Sequence, residues 1–370
     1  MQLYDRRAGR LEAMRERVER LSERTNGFTV TPRQYERVAQ VALGALTLIV
    51  LSGAAVRLTG SGLGCPDWPR CYGHAYPPLD AHALIEFSNR VLTAPVSLAA
   101  GAAWLLALRR RPYRRDLTRL ALLLPLGVIA QAVLGGFTVR GELDYGYVMG
   151  HFALSMLILL AAVLLAWRAR PEPGEARAAE RGASEARTGQ LEPAPGASDG
   201  ARDRRLVISL RALVALGALT IFAGTAATAA GPHAGGSPGQ RINRLNFDGR
   251  STMDFVIHRH GEIALAFGLA ALGVWWLARR RHARSSVQRP LTLLCVLLAL
   301  QGLVGLDQYK THLPTELVWV HVGLACAAWL AALWAACASG AFEPSRARSG
   351  AERASKRPVR APGLVKNPGN

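Results

Sequence analysis

Eight apolar stretches punctuate the chain, near 39–57, 83–108, 117–138, 147–168, 206–229, 254–278, 290–307 and 316–338. Each approaches or exceeds the roughly 20 residues that an α-helix needs to cross a bilayer core. The third, LTRLALLLPLGVIAQAVLGGFTV, carries no charge after Arg119. Several contain Gly, Ala and Pro, which membrane helices tolerate because close neighbours satisfy and pack the backbone. The pattern predicts an all-α integral membrane protein with eight transmembrane helices. Polar segments divide them. Residues 1–38 read as a cytoplasmic N-terminal segment, 169–205 as a disordered cytoplasmic linker and 339–370 as a disordered cytoplasmic tail. Segments 39–168 and 206–338 are then two tandem four-helix bundles.

The two groups of four share landmarks. QAVLGGFTV starts at Gln131 and QGLVGLDQY at Gln301, while His151 sits in MGHFALSM and His321 in WVHVGLAC. Both pairs are 170 residues apart. GALTLIV from Gly44 is matched by GALTIFA from Gly217. A matched glutamine and a matched intramembrane histidine at one offset predict an internal duplication. Four helices per half make it a parallel repeat, pseudo-twofold about the membrane normal.

Charge changes the picture in one respect. The formal net charge is +19 and half of the residues are hydrophobic. In a soluble chain that charge would point to nucleic acid. Here the arginines gather in the N-terminal lead, in RRRPYRR (109–115), in 169–205, in ARRRHAR (278–284) and in the C-terminal tail. The alternate connections carry only scattered bases such as Arg140 and Lys310. This is the positive-inside asymmetry: both termini are cytoplasmic, and nucleic acid is no partner. The first apolar run lies behind a polar Arg/Glu-rich segment, too deep for a cleaved signal peptide.

That topology gathers the candidate chemistry at one depth. Helices two, four, six and eight all run from outside to inside. His82 and Glu86 lie at the start of the second, His151 early in the fourth, His258 and His260 early in the sixth, and His321 early in the eighth. Ionisable groups inside a bilayer are costly and usually mark function, although a single histidine can be a simple cap. Histidines on facing helices of a four-helix bundle are well placed to grip a haem. A zinc site would need three or four ligands converging locally, and no such set is visible. His82, Glu86 and Asn89 share one helix face. Glu86 there suits proton transfer, or else an i,i+4 pair with Arg90. Arg57, at the outer end of the first helix, pairs with a haem propionate or sits among the headgroups. Cys65 and Cys71 lie six apart in GSGLGCPDWPRCYG, a Gly/Pro-rich outer loop. Outside the membrane a disulfide lid is favoured over a thiolate metal site, with a redox role as the weaker reading. Cys295, Cys326 and Cys337 read as packing residues.

VRLTGSGLGCPDWPRCYG, followed by IEFSNRVLT, closely resembles the haem A synthase family of the CtaA type. QAVLGGFTVRG, GHFALSM, AAGPHAGG and LVWVHVGLA extend the resemblance over about residues 40–338. It implies an oxidoreductase that converts a methyl group of haem O to the formyl group of haem A for terminal oxidase assembly. It also implies haem b in the C-terminal bundle, with His260 and His321 on its iron and His258 as the alternative to His260. Substrate haem O is placed in the N-terminal bundle with His151, Asn89, His82 and Arg57, and Glu86 is implied as catalytic. Asn89 falls where many members carry a histidine, so His151 alone holds the substrate iron and one face stays open to dioxygen chemistry. Cys65–Cys71 matches the family's loop disulfide, structural or redox-active. Dioxygen or water supplies the oxygen. The implied partners are membrane lipid, a haem O-producing prenyltransferase, a quinol or other electron donor, and a second copy of the chain. The competing readings are a transmembrane b-type cytochrome acting only as an electron relay, which wants two complete histidine pairs, and a repeat-built transporter, which wants matched helix breaks at the midplane.

Overall fold

The computed structural model describes residues 28–171, 203–237, 239–247 and 251–343. Most of the N-terminal segment, the linker and the C-terminal tail anticipated from composition lie outside these residues. Eight helices follow one another: α1 (Pro32–Leu58), α2 (Ala81–Arg109), α3 (Arg115–Arg140), α4 (Tyr145–Arg168), α5 (Arg204–Ala230), α6 (Thr252–Arg280), α7 (Ser285–Lys310) and α8 (Thr315–Ser339). All eight are long and apolar enough to cross a membrane. Among the described residues β-structure is limited to two isolated bridges, Val30 with Arg110 and Cys71 with His74.

Local signals explain where the helices begin. Thr31 caps α1 in a reciprocal box with Gln34, and Pro32 occupies the first turn, where its missing N–H costs nothing. α1 therefore starts several residues before its apolar run, and residues 32–38 join the helix rather than the N-terminal lead. Asp80, Asp144 and Asp203 cap α2, α4 and α5, each carboxylate accepting from a first-turn N–H. α7 begins at Ser285, ahead of its apolar run, with Pro290 near its start. Gly340 ends α8 in the left-handed conformation that glycine adopts freely.

Small residues then decide the packing. α2 buries Val96, Ala100, Ala103 and Ala107, and α6 buries Phe267, Ala271, Val274 and Ala278, both at the 4-3-4 spacing of one helix face. Alanine lets backbones approach where lipid supplies no hydrophobic drive between helices. The opposite faces stay apolar and exposed, as Leu98 of α2 and Leu269 of α6 are, and these suit acyl chains. α1, α2, α3 and α4 close one ring of neighbours, and α5, α6, α7 and α8 another. α4 and α8 meet between the rings and bury most of their middle turns. There Trp329 donates to the Met156 carbonyl at 3.2 Å.

The two ends of the molecule differ in chemistry. At one, arginines close helix termini: Arg168 donates to the Phe342 carbonyl at 2.9 Å and Arg211 to that of Ala341 at 2.7 Å. Arg110 is fully buried, so part of this basic run is structural. At the other end, loops interlock. Gly62 N–H donates to the Gly235 carbonyl at 2.8 Å, the Ser237 hydroxyl to that of Gly60 at 2.8 Å, and Asn243 to the Asp144 carboxylate at 2.6 Å. The α5–α6 connection thus reaches across the loops of the first ring. Gly235 makes this possible: its φ is +111°, and a Cβ there would lie 3.0 Å from Arg57 Cγ.

Candidate functional site

The loop between α1 and α2 is fastened from below by two side chains of α2. Cys65 and Cys71 form a disulfide. Glu86, only 5% exposed, accepts the Cys65 N–H on Oε2 at 2.6 Å. Its Oε1 pairs with Arg90, one turn further along. Arg90 also donates to the carbonyls of Asp67 at 2.7 Å, Arg70 at 2.9 Å and Cys65 at 3.0 Å. A guanidinium can serve this many acceptors because its donors fan out in a fixed plane. The two readings of Glu86 therefore coexist: it has its i,i+4 partner, and it also lines a cavity. Gly64 lets the loop lie flat on α2, since a Cβ there would sit 2.3 Å from the His82 carbonyl oxygen.

The cavity under this loop has a volume of about 700 Å³. That is within the range of cofactor-sized sites. Arg57, Glu86, Asn89, Arg90, Gln131 and His151 bring polar atoms to a wall otherwise built from apolar side chains. Three buried atoms on it have no hydrogen-bond partner: Arg57 Nε, Gln131 Oε1 and His151 Nδ1. Buried polar atoms are nearly always satisfied, so such a cluster on a cavity wall suits a polar or metal-bearing ligand. Trp68 closes the cavity from the disulfide loop by resting on Gly136, where a Cβ would meet its ring at 3.1 Å.

Of the residues singled out in the sequence, Glu86, Asn89, His151 and Arg57 come together here. His82 does not line this cavity; its Nδ1 lies 3.0 Å from the Ser61 hydroxyl, and it supports the loop. Several lining residues escaped the sequence reading. Ala234 comes from the second half's α5–α6 loop and Val322 from α8, so the second ring completes a wall of the first ring's cavity. Arg90's clamp was hidden because its acceptors are backbone carbonyls, which leave no mark in sequence. Gln131 did leave one: its match to Gln301 at the offset that relates the two histidines.

In the second ring, His260 of α6 faces His321 of α8, with ring centroids 6.2 Å apart and planes at 74°. The Nδ1 atoms of both rings are buried without a hydrogen-bond partner. Glycines back both rings: a Cβ at Gly224 would lie 3.0 Å from His260 Cε1, and one at Gly305 3.2 Å from His321 Cε1. His258 is exposed, its Nδ1 2.6 Å from the Asp254 carbonyl oxygen. Two metal–imidazole bonds of about 2 Å, with about 1.1 Å more from each nitrogen to its ring centre, add up to about 6 Å, so the spacing of His260 and His321 would let the pair hold one metal ion between them. Among the described residues no three His, Cys, Asp or Glu side chains converge as a metal cluster. A macrocycle supplies four donors of its own, so its iron needs only one or two protein ligands.

These features define a multi-pass helical membrane protein with a half-buried histidine pair in one ring and a polar, histidine-bearing cavity in the other. The chain belongs to the cytochrome oxidase assembly protein family (COX15-CtaA), whose sequence profile matches residues 36–333. It is 28% identical over 313 residues to a Shewanella oneidensis protein named Heme A synthase, covering 77% of this chain and 90% of that one. It is 38% identical over 130 residues to a Heme A synthase of Lysinibacillus sphaericus, covering 34% of this chain and 42% of that one. A 144-residue stretch is 31% identical to a Halobacterium salinarum protein named Protoheme IX farnesyltransferase, covering 39% of this chain and 31% of that one.

Proposed function

We propose that the chain is a haem A synthase, which oxidises a methyl group of haem O to the formyl group of haem A. The observation that carries this reading is that Glu86, His151 and Arg57 meet in one cavity while His260 and His321 pair in the other ring. Membership of the family and the named relatives support it. An electron-relay cytochrome would want a second complete histidine pair, and the first ring offers Asn89 beside Glu86.

Under this proposal each residue has a distinct task. His151 ligates the iron of the substrate haem. Arg57, with its buried and unpartnered Nε, holds a propionate carboxylate, the geometry that guanidinium groups favour. Trp68 and the disulfide loop exclude water from the reacting edge. Methyl-to-formyl conversion removes four electrons and four protons when one water supplies the oxygen, or consumes dioxygen instead. Glu86, fixed by the Cys65 N–H and Arg90, is the carboxylate placed to take those protons. Haem b, held by His260 and His321, supplies one-electron transfer when bound.

The same proposal places both termini in the cytoplasm and the two sites toward the extracytoplasmic end, where the disulfide loop would persist oxidised. It takes segments 39–168 and 206–338 as duplicated halves. Equal registers support this, for His151 and His321 are each the seventh residue of their helices, counting from Tyr145 and Thr315. A haem O-producing prenyltransferase and a quinol or other electron donor are the partners that such a reaction requires.

The test is haem extraction and chromatography from protein co-expressed with a haem O source, comparing wild type with Glu86→Gln. Haem A or its hydroxylated precursor in the wild type, absent from a variant that retains haem b, is the expected result. Haem b alone in both, with haem O available, would replace the synthase with the electron relay.

A further inference from the structure

The two rings differ at one position of matched register. His260 is the ninth residue of α6 counting from Thr252, and Asn89 is the ninth of α2 counting from Ala81. Each helix has 29 residues. The second ring therefore presents two facing imidazoles, while the first presents a carboxamide and an imidazole on the wall of one cavity. A carboxamide is a hydrogen-bonding group with two donors and one acceptor oxygen, and it is not among the usual axial ligands of haem iron.

Ser52 of α1 decides which end of that carboxamide is free. Its hydroxyl lies 2.7 Å from Asn89 Oδ1 and 3.1 Å from the Ile49 carbonyl oxygen. The hydroxyl has a single hydrogen, and the shorter contact takes it. With Oδ1 engaged, Asn89 Nδ2 remains as a donor, and no acceptor among the described residues takes it.

We propose that Asn89 is a hydrogen-bond donor in the haem O site, oriented by Ser52 and standing where a second iron ligand would otherwise be. One face of the substrate iron then stays open to a small diatomic ligand, with the Asn89 amino group beside it. Donors in a distal pocket govern whether such a ligand binds and how it is polarised. Ser52 is a positioning residue, because it acts only through Asn89. The inference rests on the placement of haem O in the first ring proposed above.

The experiment uses full-length protein from cells making haem O, reduced with dithionite and exposed to carbon monoxide. Two haem populations are expected: one low-spin and silent to carbon monoxide, held by His260 and His321, and one that binds it. Asn89→His should abolish the carbon monoxide complex at unchanged haem content, since imidazoles then occupy both faces. Ser52→Ala and Asn89→Ala should keep the complex but raise its C–O stretching frequency, because a hydrogen bond to the bound ligand lowers it. Ser52→Thr, which keeps the hydroxyl, should restore the wild-type frequency. The low-spin spectrum of the His260–His321 haem reports folding of each variant, and the Ser52 series stands without Asn89→His. Wild-type protein with both haems and no carbon monoxide complex would overturn the open face. An unchanged stretch in both alanine variants would overturn the donor. His151→Ala separates the two layers: a carbon monoxide-binding haem that survives it would refute the placement of the substrate. Loss of one haem from it, beside a silent wild type, would leave that placement standing and remove only the open face.

Discussion

Replacing Arg90 with alanine is expected to unfasten the disulfide loop from α2. The side chain has a relative exposure of 17%, and its partner Glu86 of 7%. Removing it strips three loop carbonyls and a buried carboxylate of their donor. Breaking a buried charge pair by deleting one partner typically costs 3–5 kcal/mol; Arg90 is partly exposed, so about 3 kcal/mol is expected for local opening of the loop. That is roughly a hundredfold faster amide exchange, read by hydrogen–deuterium exchange on the peptide containing Cys65. Arg90→Lys should recover part of the protection, since one ammonium cannot span carbonyls that a planar guanidinium reaches together. Glu86→Gln should cost less than Arg90→Ala, because its single amide oxygen can still accept the Cys65 N–H and Arg90 keeps its three loop carbonyls. A double-mutant cycle between the two positions should give a coupling of about 1–3 kcal/mol. Loop exchange within threefold of wild type in Arg90→Ala, or additive effects in the cycle, would refute the clamp.

Other perturbations separate the remaining parts. His321→Ala and His260→Ala should each lose haem b while keeping helical circular dichroism, whereas His258→Ala, exposed and outside the pair, should retain it; a haemochrome assay decides. Cys65→Ser with Cys71→Ser should lower stability by about 2 kcal/mol, the loop-closure value for so short a ring, and should speed exchange in the same peptide. Gly64→Ala should destabilise by about 3 kcal/mol in a thermal shift assay, because its Cβ would meet backbone that cannot move aside, 2.3 Å away at the His82 oxygen. A melting temperature equal to wild type would show that the loop does not rest on α2 as described.

The sequence alone determined the eight helices and the loop disulfide. Crossing a bilayer is a local demand on length and hydropathy, so each helix is written within its own 24 to 29 residues. Two cysteines six residues apart in a Gly/Pro-rich loop need only a local turn to meet. The histidine registers were legible as well, through the common offset of 170.

What the sequence left open was rotation and reach. His258 and His260 are two residues apart on α6, about 200° around the helix axis, so a motif of H-R-H does not say which imidazole points inward. The packing of α6 against its neighbours turned His260 toward His321 and left His258 exposed. The cavity's composition was equally hidden. Arg90 works through backbone carbonyls of a loop twenty or more residues away. Ser52 and Asn89 meet across 37 residues, and Ala234 and Val322 arrive from the other ring. Such contacts depend on how close two helices come and which faces they turn to each other. Small residues at the crossings govern both, and only the assembled tertiary structure decides which side chains they bring together.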